Sequence, residues 1–250
     1  MMAANTDRVW RSFGSIDPFF GVLSNPRYRC GEMNAERYAD FYATGEQDVA
    51  RVIQQLDLFA PSHETGTVVD FGCGVGRCLV AFASHYRSAI GVDISDGMIA
   101  EARRAAEERR LDNVRFVSAL DTLAPTADLV HSMHVLQHID PRRGSALVAR
   151  MWELLLPGGV LCIQFPIIPM RPFYSKVKEG LKTWFPTLVQ ATNLLRNGHA
   201  DPPMHMYCYD LNAVVAGIYA SGSAEIRIIR CDPDAEYFGI FLFARKGRSG

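Results

Sequence analysis

The chain has 250 residues, 48% of them hydrophobic, with 26 basic against 27 acidic side chains and a formal net charge of −1. That is enough apolar material for one large α/β domain with appendages, and the even charge balance advertises no surface for nucleic acid. No apolar run approaches membrane-spanning length, and residues 1–7 lack a basic stretch followed by an apolar one, so neither integral membrane association nor a signal peptide is expected.

Cys30, Cys73, Cys78, Cys162, Cys208 and Cys231 are scattered, without a C-x-x-C pair. They read as reduced thiols, and a cytoplasmic location is expected.

Residues 1–66 read as a helical extension leaning over the crevice of the core. Its first half is turn-rich and aromatic, as in Asp17-Pro18-Phe19-Phe20-Gly21. Over 46–59, Val49, Val52, Ile53 and Leu56 recur at helical spacing, and Pro61 ends the helix. Then comes Val68-Val69-Asp70-Phe71-Gly72-Cys73-Gly74-Val75-Gly76-Arg77. An apolar run of this length is a short buried strand. Glycine at every second position allows a tight turn and lets backbone N–H groups approach a ligand closely. A helical pattern starts at Gly76, with Leu79, Val80, Phe82 and Ala83 on its apolar side. Strand, glycine turn and helix together open a nucleotide-binding α/β unit.

A second strand, 89–93, ends on Asp93, a position from which a carboxylate can accept bonds from both hydroxyls of a ribose. Ser95 caps a helix running to about Arg110. The third strand is Val114–Val117. Asp128 to Ile139 reads as a fourth strand and its following loop, carrying His131, His134 and His138. His134 and His138 stand at i, i+4, but no third ligand lies at metal-site spacing, so no metal is expected. His138 is expected to be structural, and His131 and His134 to face the crevice. Pro141 opens a helix that Leu156-Pro157-Gly158-Gly159 breaks, and 160–165 is the fifth strand.

Residues 166–209 are punctuated by prolines and rich in aromatic and aliphatic side chains, which suggests a cap over the site. A helix over 211–219 and two strands, 224–230 and 237–244, close the chain. The strands follow one another without a helix and suggest an antiparallel hairpin.

The glycines separate two readings. A dinucleotide fingerprint needs G-x-G-x-x-G; here Gly72, Gly74 and Gly76 give G-x-G-x-G, and Arg77 stands where that fingerprint needs glycine. With Asp70 before the glycines and Asp93 ending the second strand, residues 67–165 resemble the class I S-adenosylmethionine (SAM)-dependent methyltransferases, and 210–246 do so by pattern. A structural glycine turn in another α/β protein is the plainer alternative. The resemblance implies a Rossmann-like, seven-stranded, mostly parallel α/β sheet with the last strand antiparallel, in a single methyltransferase domain. The parts would be an extension (1–66), a SAM-binding core (67–165), a cap (166–209), and a C-terminal helix and hairpin (210–250).

The resemblance also implies a cofactor set of Asp70, Gly72, Cys73, Gly74, Gly76, Arg77, Asp93, Ile94, Met98, Ala119, Leu120, Asp121 and His131. Of these, Asp121 sits where the family places adenine and is equally a turn carboxylate. Methyl transfer to an alcohol or phenol needs a proton removed, a task suited to histidine. His131 or His134 is the expected base, and His134, His205 and Tyr207 are expected to face a small-molecule acceptor. O-methylation in a biosynthetic pathway is the resulting expectation. The alternatives are N- or C-methylation, a SAM-fold enzyme catalysing another step, and a non-catalytic SAM-binding regulator.

Overall fold

The structure is a computed structural model that describes residues 6–231 and 235–247. Two short helices, α1 (Thr6–Ile16) and α2 (Pro18–Val22), precede the long α3 (Ala35–Phe59). The turn-rich character of this region hid the first two. α3 begins eleven residues before the stretch that shows helical periodicity, because the Asn34 side chain caps it by accepting the Arg37 N–H at 2.9 Å. Gly45 sits inside the helix for a packing reason: a Cβ there would lie 2.1 Å from the Arg77 carbonyl oxygen.

The core then alternates strand and helix. β1 (Thr67–Phe71) leads through the glycine turn to α4 (Leu79–Phe82), a single turn that starts later than the glycines suggest. β2 (Ser88–Val92), α5 (Asp96–Glu108), β3 (Val114–Val117), β4 (Ala127–Ser132), α6 (Pro141–Glu153) and β5 (Leu155–Pro169) follow. The expected break at 156–159 is a bulge within β5. Gly158 has φ 83°, and pairing with β4 jumps from Leu155 to Val160. β5 also runs four residues past Phe165, because its far end pairs with the last strand as far as Pro169. Two cap helices, α7 (Pro172–Trp184) and α8 (Pro186–Asn197), come next, then α9 (Leu211–Ala220), β6 (Ser223–Arg230) and β7 (Tyr237–Lys246).

The seven strands form one sheet in the order β3-β2-β1-β4-β5-β7-β6. The first five are parallel, and β7 runs antiparallel to both of its neighbours. β1 lies centrally, between β2 and β4, where the strand order reverses. Ligands of open α/β sheets bind at the carboxyl ends of strands beside such a reversal.

One face of the sheet packs Met151 and Trp152 of α6 and Ile218 of α9; the other packs Val52 and Leu56 of α3 and Phe82 of α4. A third cluster joins Phe13, Phe19, Tyr28, Phe41 and Met98 and fixes the N-terminal helices to α5. Full burial of a side chain such as Phe41 stabilises by about 1.5–3 kcal/mol.

Candidate active site

Alternate glycines shape the turn after β1. Gly72 and Gly74 have φ of 73° and 52°, in the left-handed region that side chains avoid. Both border a cavity of about 100 Å³ at the carboxyl ends of β1 and β2. A Cβ on Gly72 would sit 2.3 Å from a Val135 methyl, and one on Gly74 2.7 Å from a Val22 methyl. Gly76 has another purpose: it lets the chain pass over α5, where a Cβ would meet Ala102 at 3.2 Å.

Asp93 lies across the turn. Its Oδ2 accepts the Gly74 N–H at 3.0 Å, and its Oδ1 accepts the Ser95 N–H at 2.9 Å. The carboxylate therefore ties the end of β2 to the glycine turn and still has lone pairs for a ligand. Burial holds its pKa above the usual range, and the Ser95 and Gly74 N–H bonds oppose that rise. Ile94 and Met98 continue the same wall.

Several residues of the expected cofactor set lie elsewhere. Cys73 faces the core, close enough to β2 that a Cβ on Gly91 would come within 2.8 Å of its sulfur. Arg77 is buried and points to α3, pairing with Asp48 at 2.7 Å and donating to Thr44 at 3.2 Å. Leu120 is a core residue, and Ala119 is exposed. The Asp121 side chain is 89% exposed and pairs with Arg150 at 3.2 Å. It is a surface turn carboxylate, and none of residues 119–121 borders the cavity.

His131 is also not in the crevice. It is 1% exposed and donates from Nδ1 to Asp70 Oδ1 at 2.8 Å, with its ring 4.9 Å from that of Phe82. In β4, Leu129 and His131 point to the α4 side, whereas Val130 packs on the α6 side. His131 and Asp70 thus pair beneath the glycine turn, away from any lining wall. Its Nε2 is buried and has no hydrogen-bond partner among the described residues.

His134 is the histidine that reaches the site. It has φ 59°, and its N–H is held by Gln164 Oε1 at 2.9 Å. A non-glycine residue in this conformation carries strain of order 1–3 kcal/mol. Burial lowers the imidazole pKa to about 4, aided by the Arg77 charge, so the ring is neutral at pH 7. His138 is held at both ring nitrogens, with Nδ1 2.7 Å from the His205 carbonyl oxygen and Nε2 3.1 Å from the Gln137 amide. Burial lowers it, too, to about 4.

His134, Gly21 and Val22 also border a second, larger space of about 930 Å³ beneath the cap. Tyr174, Val177 and Leu181 of α7, Val189 of α8, and Met204 and Met206 line it. His205 does not. Its Nδ1 lies 3.0 Å from Glu179 Oε2, which ties two parts of the cap together. Tyr207 stacks on His205, its backbone N–H bonds the Gln137 carbonyl, and it does not line the chamber either.

Thr6, Asp7, Trp10, Val22, Ile139 and Arg143 close the smaller cavity. Sequence reasoning placed the N-terminal region near the crevice without naming these side chains. The apolar pattern of Val9, Trp10 and Phe13 is the one local sign of α1.

Residues 68–159 match a family model described as a methyltransferase domain. Trans-aconitate 2-methyltransferase of Variovorax paradoxus is 35% identical over 131 residues, 50% of this chain and 48% of that protein. Ubiquinone biosynthesis O-methyltransferase of Coxiella burnetii is 31% identical over 142 residues, 54% of each. The chain thus spans about half the length of the curated relatives it matches. Magnesium protoporphyrin IX methyltransferase of Synechocystis PCC 6803 is similar in fold, with a TM-score of 0.64 at 21% identity, covering 97% of this chain and all of that one.

The strand order, the G-x-G-x-G turn tied to the carboxylate that ends β2, and the match over residues 68–159 agree on a methyltransferase domain carried on a Rossmann-like sheet.

Proposed function

We propose that the protein methylates a small-molecule acceptor with SAM as the donor. The observation that carries this reading is the junction of the two spaces at His134, with Asp93 and the bare glycine backbone on one side and the cap chamber on the other. Gly72 and Gly74 offer backbone without side chains, and Asp93 offers a buried acceptor, which fits a ribose. The relatives of similar sequence are also named as methyltransferases of small molecules.

Bound SAM supplies an electrophilic methyl group on a sulfonium. The chain's own task is to align the acceptor with that methyl and keep water out. Trp10, Val22 and Val135 give the junction an apolar wall. An imidazole with a pKa of about 4 is a weak base for an alcohol. His134 is better suited to accept a hydrogen bond from a hydroxyl that ionises readily, so the favoured reaction is O-methylation of a phenol or enol. The chamber of about 930 Å³ lies at the upper end of the usual range for small-molecule sites, about 300–1,000 Å³. It suits an acceptor much larger than a simple metabolite.

Turnover of isotopically labelled SAM against a host metabolite extract, followed by mass analysis, tests this. Label is expected on an oxygen of one class of compound. Label on nitrogen or carbon would remove the O-directed reading, and no transfer at all would remove the enzyme reading.

A further inference from the structure

The outer surface of the cap is unlike the rest of the molecule. Phe173 is 84%, Trp184 72% and Leu195 85% exposed, and Phe185, Leu188 and Leu194 are exposed as well. None of the six lines either cavity. They crowd onto α7, α8 and the turn between them. An apolar surface this dense marks a site of association.

Charge indicates the partner. Between residues 171 and 200 stand Arg171, Lys176, Lys178, Lys182 and Arg196 against one acid, Glu179, in a chain whose overall charge is −1. Lys178 and Lys182 are paired with Glu236 and Glu179. Arg171, Lys176 and Arg196 are exposed and make no ion pair among the described residues, and Arg196 also borders the chamber, so it stands at the edge of this face. The cap therefore presents aromatic and aliphatic side chains interspersed with free cations. A symmetric contact with a second copy would set this patch against itself and oppose like charges. A bilayer with anionic lipids matches both features at once: it takes the aromatic side chains at its interface and the cations at its headgroups.

No helix among the described residues is long and apolar enough to cross a membrane, so the cap would lie on the surface. Tyr174, Val177 and Leu181 are exposed on the same helix and also line the chamber, so the chamber wall is continuous with this face.

We propose that α7 and α8 form a docking surface for anionic lipid bilayers, which seats the mouth of the chamber on the membrane. The test is co-sedimentation of the whole protein with vesicles of phosphatidylcholine alone and of equal parts phosphatidylcholine and phosphatidylglycerol. Binding to the mixed vesicles is expected to be roughly 10–100-fold stronger, since each free cation near an anionic surface contributes about fivefold. Combining Phe173→Ser, Trp184→Ser and Leu195→Ser should reduce it about tenfold or more, with an unchanged circular dichroism spectrum.

The milder Trp184→Phe variant guards against misfolding. Tryptophan emission should shift to the blue on adding mixed vesicles, and this variant should abolish the shift. Failure of the wild-type protein to bind mixed vesicles would overturn the proposal. So would self-association that the triple variant abolishes without any vesicle binding. The assay needs no methyl transfer, so its outcome is independent of the activity proposed above.

Discussion

His131 Nδ1 lies 2.8 Å from Asp70 Oδ1, and both side chains are buried beneath the glycine turn. Removing the imidazole leaves a buried carboxylate without its donor, a loss of about 1–3 kcal/mol or more. His131→Ala is therefore expected to lower stability in urea unfolding by at least that amount. In the fraction that remains folded, the pH profile of turnover should keep its wild-type shape. A stable His131→Ala protein with an altered pH profile would instead return His131 to the chemistry.

His134 should behave in the opposite way. Its φ of 59° is unfavourable for any residue with a Cβ, and a left-handed conformation costs roughly 1–2 kcal/mol. His134→Gly is expected to fold with equal or greater stability while losing most turnover. Equal turnover would show that the ring only fills space.

Acid should destabilise the protein through the same histidine. His134 and His138 both have a pKa of about 4 in the folded chain, because burial disfavours the charged ring. In the unfolded chain each titrates near ~6.5. Between pH 6.5 and 4 the unfolded state binds protons that the folded state refuses, so stability falls as pH drops through that window. The loss is about 1.4 kcal/mol per pH unit for each ring. Chemical denaturation at a series of pH values measures it. Turnover limited by neutral His134 should stay flat from pH 8 to about 5 and fall only as pH nears 4.

Asp93 joins two functions. Asp93→Ala removes the acceptors for the Gly74 and Ser95 N–H groups as well as the bond expected to the ribose. Affinity for SAM should fall by about 1.5–3 kcal/mol, the range for hydrogen bonds to a charged group. Stability should fall, too, though the fold survives. Unchanged affinity would leave Asp93 as a turn residue alone.

The smaller cavity predicts a moving wall. At about 100 Å³ it is smaller than an engineered cavity of ~150 Å³ that holds one benzene. A nucleoside needs more room. The outer wall is α1, held by Asp7–Arg143 at 2.5 Å and by Arg11 donating to the Ile94 carbonyl. Asp7→Ala should therefore speed SAM association in stopped-flow measurements of Trp10 emission. An unchanged association rate would place the mobile wall elsewhere.

What the sequence disclosed follows from how local each signal is. β1, the glycine turn and Asp93 were legible because a short buried run, alternate glycines and a terminal carboxylate lie close together in the chain. The choice between His131 and His134 was not. Leu129 and Val130 are both apolar, since a central parallel strand is buried on both faces, so alternation could not tell which face His131 takes. Arg77 and Cys73 sit inside the motif yet turn away from the cavity, because α3 and the core claim their side chains. His205 is held instead by Glu179, 26 residues away in sequence, a pairing that no local pattern announces.

The most direct test of the central claim is calorimetric titration with S-adenosylhomocysteine and, separately, with NAD. The expected result is saturable binding of S-adenosylhomocysteine at a single site, weakened about tenfold or more by Asp93→Ala, with no heat from NAD. Binding of NAD without S-adenosylhomocysteine would contradict it.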